Sequence, residues 1–341
     1  MDVSARIVTL RLKEPFRISR GTTEEGDVVE VEIRHDGISG FGEAAPSGRY
    51  GESAEPALAF VEESAGLLGD DPFALEDIGE RLAERTGEMA GKAALDAALH
   101  DLCGKLAGLP VWRLLGLRRA GPPTSWTIIL ADPDEMARKA ERVEGFRRLK
   151  LKLGGRDGLD VERVRAVRGV TNVPLQVDVN EYWSLDEALD AVPQLAELGV
   201  EYCEQPLPAG DPGGAELKRR SPLPIFVDED CHTAADVPRC AEVAHGVNAK
   251  LAKAGGLREA VRIVHAARAL GLRTMLGCMA PESGLGISAA CQVASLFDHV
   301  DLDGNLLTAD DPWPGVELVD GVQLPPEAPG LGVEKALSRT G

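Results

Sequence analysis

Apolar and polar positions change rhythm about a third of the way along the chain. Before that point a period of two dominates the opening segment. Ile7–Leu12 alternates like a strand, and Val28–Ile33 and Ile38–Glu43 flank His35-Asp36-Gly37, a hairpin turn signal. Helical spacing follows near Ala54–Leu68, Pro72–Glu84 and Met89–Ala107. The last of these repeats Ala93, Leu95, Ala97, Ala98, Leu99 and Leu102, and it stops at Gly108-Leu109-Pro110. A small antiparallel sheet followed by helices predicts an α+β domain. From about Thr124 short apolar runs alternate with helical stretches. The runs are Ser125–Leu130, Leu149–Leu153, Leu175–Val179, Val200–Glu204, Ile225–Asp228, Val247–Leu251, Arg273–Leu276 and Val300–Leu302. Alternation of this kind predicts a parallel sheet covered by helices, and eight units favour a closed barrel over an open sheet. The Pro- and Gly-rich stretch after Asp310 is expected to return to the first domain. The expected division is residues 1–118, 119–312 and 313–341.

Charged residues interrupt the pattern at the ends of the apolar runs. Asp178, Glu204 and Asp228 close three successive runs. In a (β/α)₈ barrel such ends gather at one mouth. Three carboxylates converging there form a hard, oxygen-only site that suits Mg²⁺. The alternative is three separate helix caps. Asn180, Gln205, Glu229 and Asp230 stand nearby as supporting groups or alternative ligands. Lys150 and Lys152 alternate inside an apolar run, so both face one way. Two neighbouring ammonium groups disfavour each other's charge, which would lower a lysine pKa toward a useful base. Lys250 stands three runs beyond Asp178 and is expected across the mouth from Lys152. Lys253 is a weaker candidate, placed past the strand end. Two bases on opposite faces of one carbon suit racemisation or epimerisation next to a carboxylate, with the enolate stabilised by the metal and a cation. Asp301 and Asp303 are expected to share a strand face. They read as a clamp for a substrate ammonium group or as a solvated acidic turn. Glu282 is open between an acid, a hydrogen-bond partner and a helix-start residue.

Composition narrows the class. The net charge of −19 argues against nucleic acid or an anionic membrane as partner. Lysine is scarce, ten against 27 arginines, so the lysines in the strand-like runs stand out. The six cysteines form no C-x-x-C pair, which favours reduced thiols over disulfides. No apolar run has the length of a membrane span and the start lacks the core of a signal peptide, so a cytoplasmic location is expected. There is no P-loop, no G-x-G-x-x-G, no G-x-S-x-G and no H-E-x-x-H.

These residues also resemble a known family. Lys150-Leu151-Lys152, Asp178-Val179-Asn180, Glu204-Gln205-Pro206, Asp228-Glu229 and Lys250…Lys253-Ala254-Gly255-Gly256 are similar to the marks of the enolase superfamily, muconate-lactonising subgroup. The stretch Ala93–Gly116, with Asp96, Asp101, Lys105 and Trp112…Leu114-Leu115-Gly116, fits the same family. Within it, Gly277-Cys278-Met279…Glu282-Ser283 and Asp301-Leu302-Asp303-Gly304 look most like dipeptide epimerases of the L-Ala-D/L-Glu type. The resemblance implies a modified (β/α)₇β TIM barrel under an α+β capping domain, and one Mg²⁺ per subunit on Asp178, Glu204 and Asp228. It also implies Lys152 and Lys250 as the two bases, Lys150 as a stabiliser of the enolate, and Asp301 and Asp303 on the dipeptide ammonium. Cys278 and Met279 would lie near the first residue of the substrate. A homo-oligomer acting on a small dipeptide is expected. Two departures stand out: Pro281 is an extra residue before Glu282, and Arg20 lies one position out of register with the arginine that some members use for a side-chain carboxylate. N-succinylamino acid racemase, o-succinylbenzoate synthase and muconate cycloisomerase are the alternatives within the subgroup. They share the metal and lysines without needing the Asp-x-Asp clamp. A barrel retained only for binding would be expected to have lost a ligand or a lysine.

Overall fold

The structure is a computed structural model that describes residues 1–336, so the end of the 313–341 segment lies outside the described residues. Strands β1 (Asp2–Ile18), β2 (Gly21–His35) and β3 (Ile38–Ala44) form an antiparallel sheet in that order. The β2–β3 turn places Asp36 and Gly37 at φ of 50° and 78°, the left-handed values that a tight hairpin needs. β1 is longer than the Ile7–Leu12 alternation predicts. An irregularity between Arg11 and Phe16 lets pairing resume and carries the strand to Ile18. Helices α1 (Ala54–Ser64), α2 (Leu75–Ala83) and α3 (Met89–Ala107) follow. α2 starts later than the Pro72 expectation because Asp71 makes a turn there, its carboxylate accepting from Phe73 N at 2.9 Å.

Helix α3 lies directly on β3. A Cβ at Gly40 or Gly42 would come within 2.2 Å of Ala98 O or 2.1 Å of Ala94 O, so both strand positions require glycine. Asp101 on α3 ties three segments together. Its carboxylate accepts from Phe41 N (2.8 Å), Lys105 Nζ (2.7 Å) and Leu331 N (2.7 Å).

A short turn of helix, α4 (Val111–Leu114), leads to the barrel. Its strands are β4 (Trp126–Ile128), β5 (Leu149–Lys152), β6 (Leu175–Asp178), β7 (Val200–Glu204), β8 (Ile225–Val227), β9 (Gly246–Lys250), β10 (Arg273–Gly277) and β11 (His299–Asp301). All eight pair in parallel and in chain order. Thr124 bridges Val300 in parallel, which joins the first strand to the last and closes the barrel. Helices α5 (Pro133–Glu141), α6 (Asp160–Val170), α7 (Leu185–Glu197), α8 (Gly214–Arg220) and α9 (Val237–Val243) separate the first strands. The single turn α10 (Leu251–Ala254), α11 (Leu257–Ala269) and α12 (Gly284–Cys291) separate the rest. Among the described residues the turn α13 (Gly304–Leu307) is the one helical element after β11, so the architecture is a (β/α)₇β barrel capped by an α+β domain.

Strand periodicity sorts the side chains. Leu149, Leu151, Leu153, Leu175 and Val177 point outward into one buried cluster with the covering helices. Alternate positions point inward. Tyr202, Phe226 and Met275 fill the lower interior, with the Tyr202 and Phe226 rings 4.5 Å apart. The tail carries the hairpin of β12 (Glu317–Val319) and β13 (Val322–Leu324). On either side of this hairpin the tail touches the first sheet, where Trp313 Nε1 and Lys335 Nζ both reach Glu30 on β2, at 3.0 and 2.7 Å. Among the described residues no helix is long and apolar enough to cross a membrane.

The tight β3–α3 packing makes a direct prediction. Gly42→Ala forces a methyl group into the α3 backbone and should lower stability by about 1–3 kcal/mol. Urea unfolding measures this, and a midpoint equal to that of the parent protein would show that the two elements can separate freely.

Candidate active site

The inward positions at the C-terminal ends of the barrel strands are charged. Lys150 and Lys152 point inward from β5, Asp178 from β6, Glu204 from β7 and Lys250 from β9, while Asp228 lies just beyond β8. β5 and β9 are four strands apart in an eight-stranded barrel, so Lys152 and Lys250 stand on opposite sides. Both line a cavity of about 410 Å³ that opens between the barrel mouth and the capping domain. Gly277 leaves room for the neighbouring strand, because a Cβ there would stand 2.9 Å from the Asn248 amide and 3.2 Å from Lys250 Cε.

Every one of these lysines rests on a carboxylate. Lys150 Nζ lies 2.6 Å from Glu204, 2.7 Å from Asp301 and 3.3 Å from Asp178. Burial would pull its ammonium pKa down, but these three carboxylates outweigh burial and hold it well above its usual value. Lys152 lies 2.7 Å from Asp178. Lys250 lies 2.9 Å from Asp228, and that carboxylate likewise outweighs burial and raises it. For Lys150 the depression that a side-by-side ammonium suggests in the sequence therefore does not occur. Intervening carboxylates prevail. Asp178 and Asp228 are held below the ordinary carboxylate range despite burial, because the lysines outweigh it.

Asp178, Glu204 and Asp228 are almost completely buried and come from successive strands. Glu204 is pushed up to about 7 by burial, with Asp178 and Asp228 adding to the effect against Lys150. The three donors are all carboxylate oxygen, and Asn180 Oδ1 and Glu229 Oε2 beside them are buried without a hydrogen-bond partner. That donor set fits a hard divalent cation. Among the described residues no three acidic, histidine or cysteine side chains converge as a formed metal shell, since the carboxylates are drawn onto lysines instead. Asn180, Gln205, Glu229 and Asp230 fall around this cluster. Asn180 donates to Asp178 from its backbone N (3.0 Å) and from Nδ2 (3.2 Å). Gln205 Oε1 accepts from Asp228 N and Glu229 N at 2.8 and 3.0 Å, and its Nε2 donates to Asp230 at 2.8 Å. Asn180 thereby orients the Asp178 carboxylate, and Gln205 fixes the main chain that carries Asp228. Their backbones are strained to do so, at φ of 49° and 37°.

Asp301 and Asp303 also line the cavity, though not from one strand face, because β11 ends at Asp301 and Asp303 lies at the start of α13. One oxygen of Asp301 binds Lys150, and the other is buried without a partner. Asp303 accepts from Thr127 N at 2.8 Å and is pushed up to about 6 by burial, with Asp301 adding to the shift. Cys278 and Met279 line the same side. Glu282 accepts from Met279 N at 2.7 Å. The extra residue Pro281 lies under the capping domain, where a Cβ on Gly26 would stand 2.8 Å from its Cδ. Arg20 reaches the site from the β1–β2 turn but is bound to protein carboxylates, 2.8 Å from Glu229 and 3.2 Å from Glu181.

Some site residues are underweighted in the sequence and others leave no signal there. Lys253 is no peripheral group: it is fully buried, 2.6 Å from Asp228 and 2.9 Å from Asn248 O. Its spacing from Lys250 was the available signal. Asn248 Nδ2 donates to Glu204 at 2.7 Å, and its alternation with Lys250 on β9 gave the same hint. Phe16, Arg49 and Glu181 left no trace in the sequence, because only folding carries the capping loops to the barrel mouth.

The chain belongs to the enolase superfamily. Residues 135–337 match the family described as "Enolase C-terminal domain-like", and residues 2–116 match "Mandelate racemase / muconate lactonizing enzyme, N-terminal domain". It is similar to the "L-Ala-D/L-Glu epimerase" of Bacteroides thetaiotaomicron, 40% identical over 96% of this chain and 86% of that protein. It is also similar to the "Hydrophobic dipeptide epimerase" of Flavobacteria bacterium strain MS024-2A, 38% identical over 95% of each chain. Among solved structures it superposes on a dipeptide epimerase from Enterococcus faecalis V583, complexed with Mg and the dipeptide L-Leu-L-Tyr. The TM-score is 0.93 and the identity 33%, over 97% of this chain and 98% of that one.

The interface between cap and site carries a pH-sensitive group. Glu43, at the end of β3, accepts from Ser283 N at 2.9 Å, and burial pushes its pKa from 4.5 up to about 8. The folded state holds this proton more tightly than the unfolded chain. Its contribution is therefore intact below the unfolded value of 4.5 and is lost as pH rises to about 8. Glu43→Gln should gain in Tm relative to the parent as pH rises from about 5 to about 9. A Tm difference that stays constant across that range would contradict the buried, protonated assignment.

Proposed function

We propose that this chain is an isomerase, a Mg²⁺-dependent dipeptide epimerase whose chemistry is of the L-Ala-D/L-Glu type. It inverts the α-carbon of the C-terminal residue of a dipeptide. The observation that carries this reading is the single cavity lined by Lys152 and Lys250 from opposite sides and by Asp301 and Asp303 from a third. The Mg- and dipeptide-bound relative from Enterococcus faecalis supports the cofactor and the substrate class.

Asp178, Glu204 and Asp228 would hold the ion, which would supply Lewis-acid stabilisation of the negative charge that develops on the substrate. Lys152 and Lys250 address opposite faces of the α-carbon. One removes the proton as a neutral amine, leaving a planar enolate, and the other delivers a proton from its ammonium to the opposite face. Lys150, fixed as a cation by its three carboxylates, steadies the enolate charge. The unpartnered oxygen of Asp301, together with Asp303, accepts hydrogen bonds from the dipeptide ammonium. Glu282 holds the Met279 backbone so that Cys278 and Met279 shape the space for the first residue. We also place the protein in the cytoplasm as a homo-oligomer. The six free cysteines suit a reducing compartment, and the adjacent, partly exposed Leu114 and Leu115 offer a surface for a second subunit.

Lys152→Ala and Lys250→Ala should each lower epimerisation by at least about 10². Each should retain α-deuterium exchange on one stereoisomer only, read by NMR in D₂O. Full two-way turnover in either variant would exclude two bases. Asp303→Asn should cost roughly 2–5 kcal/mol in kcat/KM on dipeptides while Mg²⁺ affinity, followed by calorimetry, stays unchanged. Faster turnover of N-succinyl amino acids than of any dipeptide would replace the epimerase reading with the racemase one.

A further inference from the structure

The strand that caps the cavity ends beside the reacting centre. Lys152 Nζ lies 5.9 Å from the centroid of the Phe16 ring, and Phe16 and Ile18 line the cavity while only half-buried. This apolar surface is therefore adjacent to Lys152 within one cavity.

Two guanidinium groups, Arg20 and Arg49, stand on the same wall and would be the natural receivers of a substrate side-chain carboxylate. Both are already engaged. Arg20 Nη1 lies 2.8 Å from Glu229 and 3.2 Å from Glu181, and it donates to Asn180 O at 3.2 Å. Arg49 grips Glu181 through two hydrogen bonds of 2.6 Å each. Two guanidinium groups thus face two carboxylates, and the wall keeps no positive charge in reserve. The side chains of Glu181 and Glu229 are only 12% and 1% exposed, so withdrawing an arginine would strand a buried carboxylate. The other oxygen of Glu229 is buried without a partner, and Asp27 lines the cavity as well, so any surplus charge here is negative.

Taking the dipeptide epimerase reading as the basis, we propose that the residue epimerised is apolar and seats its side chain on Phe16 and Ile18. Arg20 and Arg49 fasten the two capping loops to Glu181 and Glu229 and do not receive a substrate carboxylate. Arg20 is thereby a positioning residue of the lid, not the side-chain receptor that the family resemblance suggested.

The test compares kcat/KM for L-Ala-L-Leu, L-Ala-L-Phe, L-Ala-L-Glu and L-Ala-L-Lys, followed as α-deuterium incorporation with Mg²⁺ present. The apolar dipeptides should exceed L-Ala-L-Glu by at least about tenfold. Glu181→Gln, checked for folding by thermal melting, releases positive charge at the wall. It should raise the ratio of L-Ala-L-Glu to L-Ala-L-Leu turnover about tenfold. If that variant does not fold, Phe16→Arg replaces it, because a cation set into the apolar wall should move the ratio the same way. A wild-type preference for L-Ala-L-Glu or L-Ala-L-Lys overturns the proposal, as does an unchanged ratio in the folded variant. Absence of turnover on every dipeptide would overturn the epimerase reading itself, an outcome distinct from turnover with the wrong preference.

Discussion

Buried charge at the mouth of the barrel is the constraint on which the rest of the structure depends. Lys150 sits among Asp178, Glu204 and Asp301, and Asp228 sits between Lys250 and Lys253. Removing one partner from such a buried group leaves an uncompensated charge, which costs about 3–5 kcal/mol. The fold therefore has to supply every partner at once. Parallel strands do this by presenting alternate residues at the same height around the ring. Below the charges, Tyr202, Phe226 and Met275 pack the interior, so the barrel has an apolar floor. The charged groups named here are thus gathered at the end where a ligand can reach them.

The capping domain completes the enclosure. Arg20 and Arg49 come from loops far from the barrel in sequence, yet both end on Glu181, the residue after Asn180. Asn180, Glu181 and Gln205 all take left-handed backbone conformations, which non-glycine residues rarely adopt. Strain of this kind persists only where the surroundings over-determine it. Here the surroundings are the hydrogen bonds that Asn180 donates to the Asp178 carboxylate, the one that Gln205 accepts from Asp228 N, and the ion pairs from the cap. Glu43 and Ser283 join the same two bodies on the far side of the cavity. The cap is thus bonded to the loops that carry the chemistry, and its position bears directly on which side chain the cavity accepts.

Much of this was legible in the sequence, for a physical reason. A strand in a closed barrel is covered by helices on its outer face and lies against the packed interior on the other. It therefore reads as a short apolar run, and a lysine or aspartate within it stands out. That is how Lys150, Lys152, Asp178, Glu204 and Lys250 could be assigned to one mouth before any coordinate was known. The Asp36-Gly37 hairpin was equally plain, because only certain residues tolerate its backbone angles. Boundaries were less legible. β1 continues past an irregularity that breaks the period of two, and α2 begins only after the Asp71 turn.

What only the tertiary structure decided concerns pairs distant in sequence. Whether Lys150 is a neutral base or a fixed cation depends on Asp301, 151 residues away, and the carboxylates prevail over the neighbouring ammonium group. Whether Arg20 is free to meet a substrate depends on Glu229, 209 residues away. The sequence by itself determined the alternation that builds the barrel and the kinds of group at its rim, because strand periodicity is a local property. Folding decided which of those groups neutralise one another, because Coulomb interactions depend on distance in space and on exclusion of water.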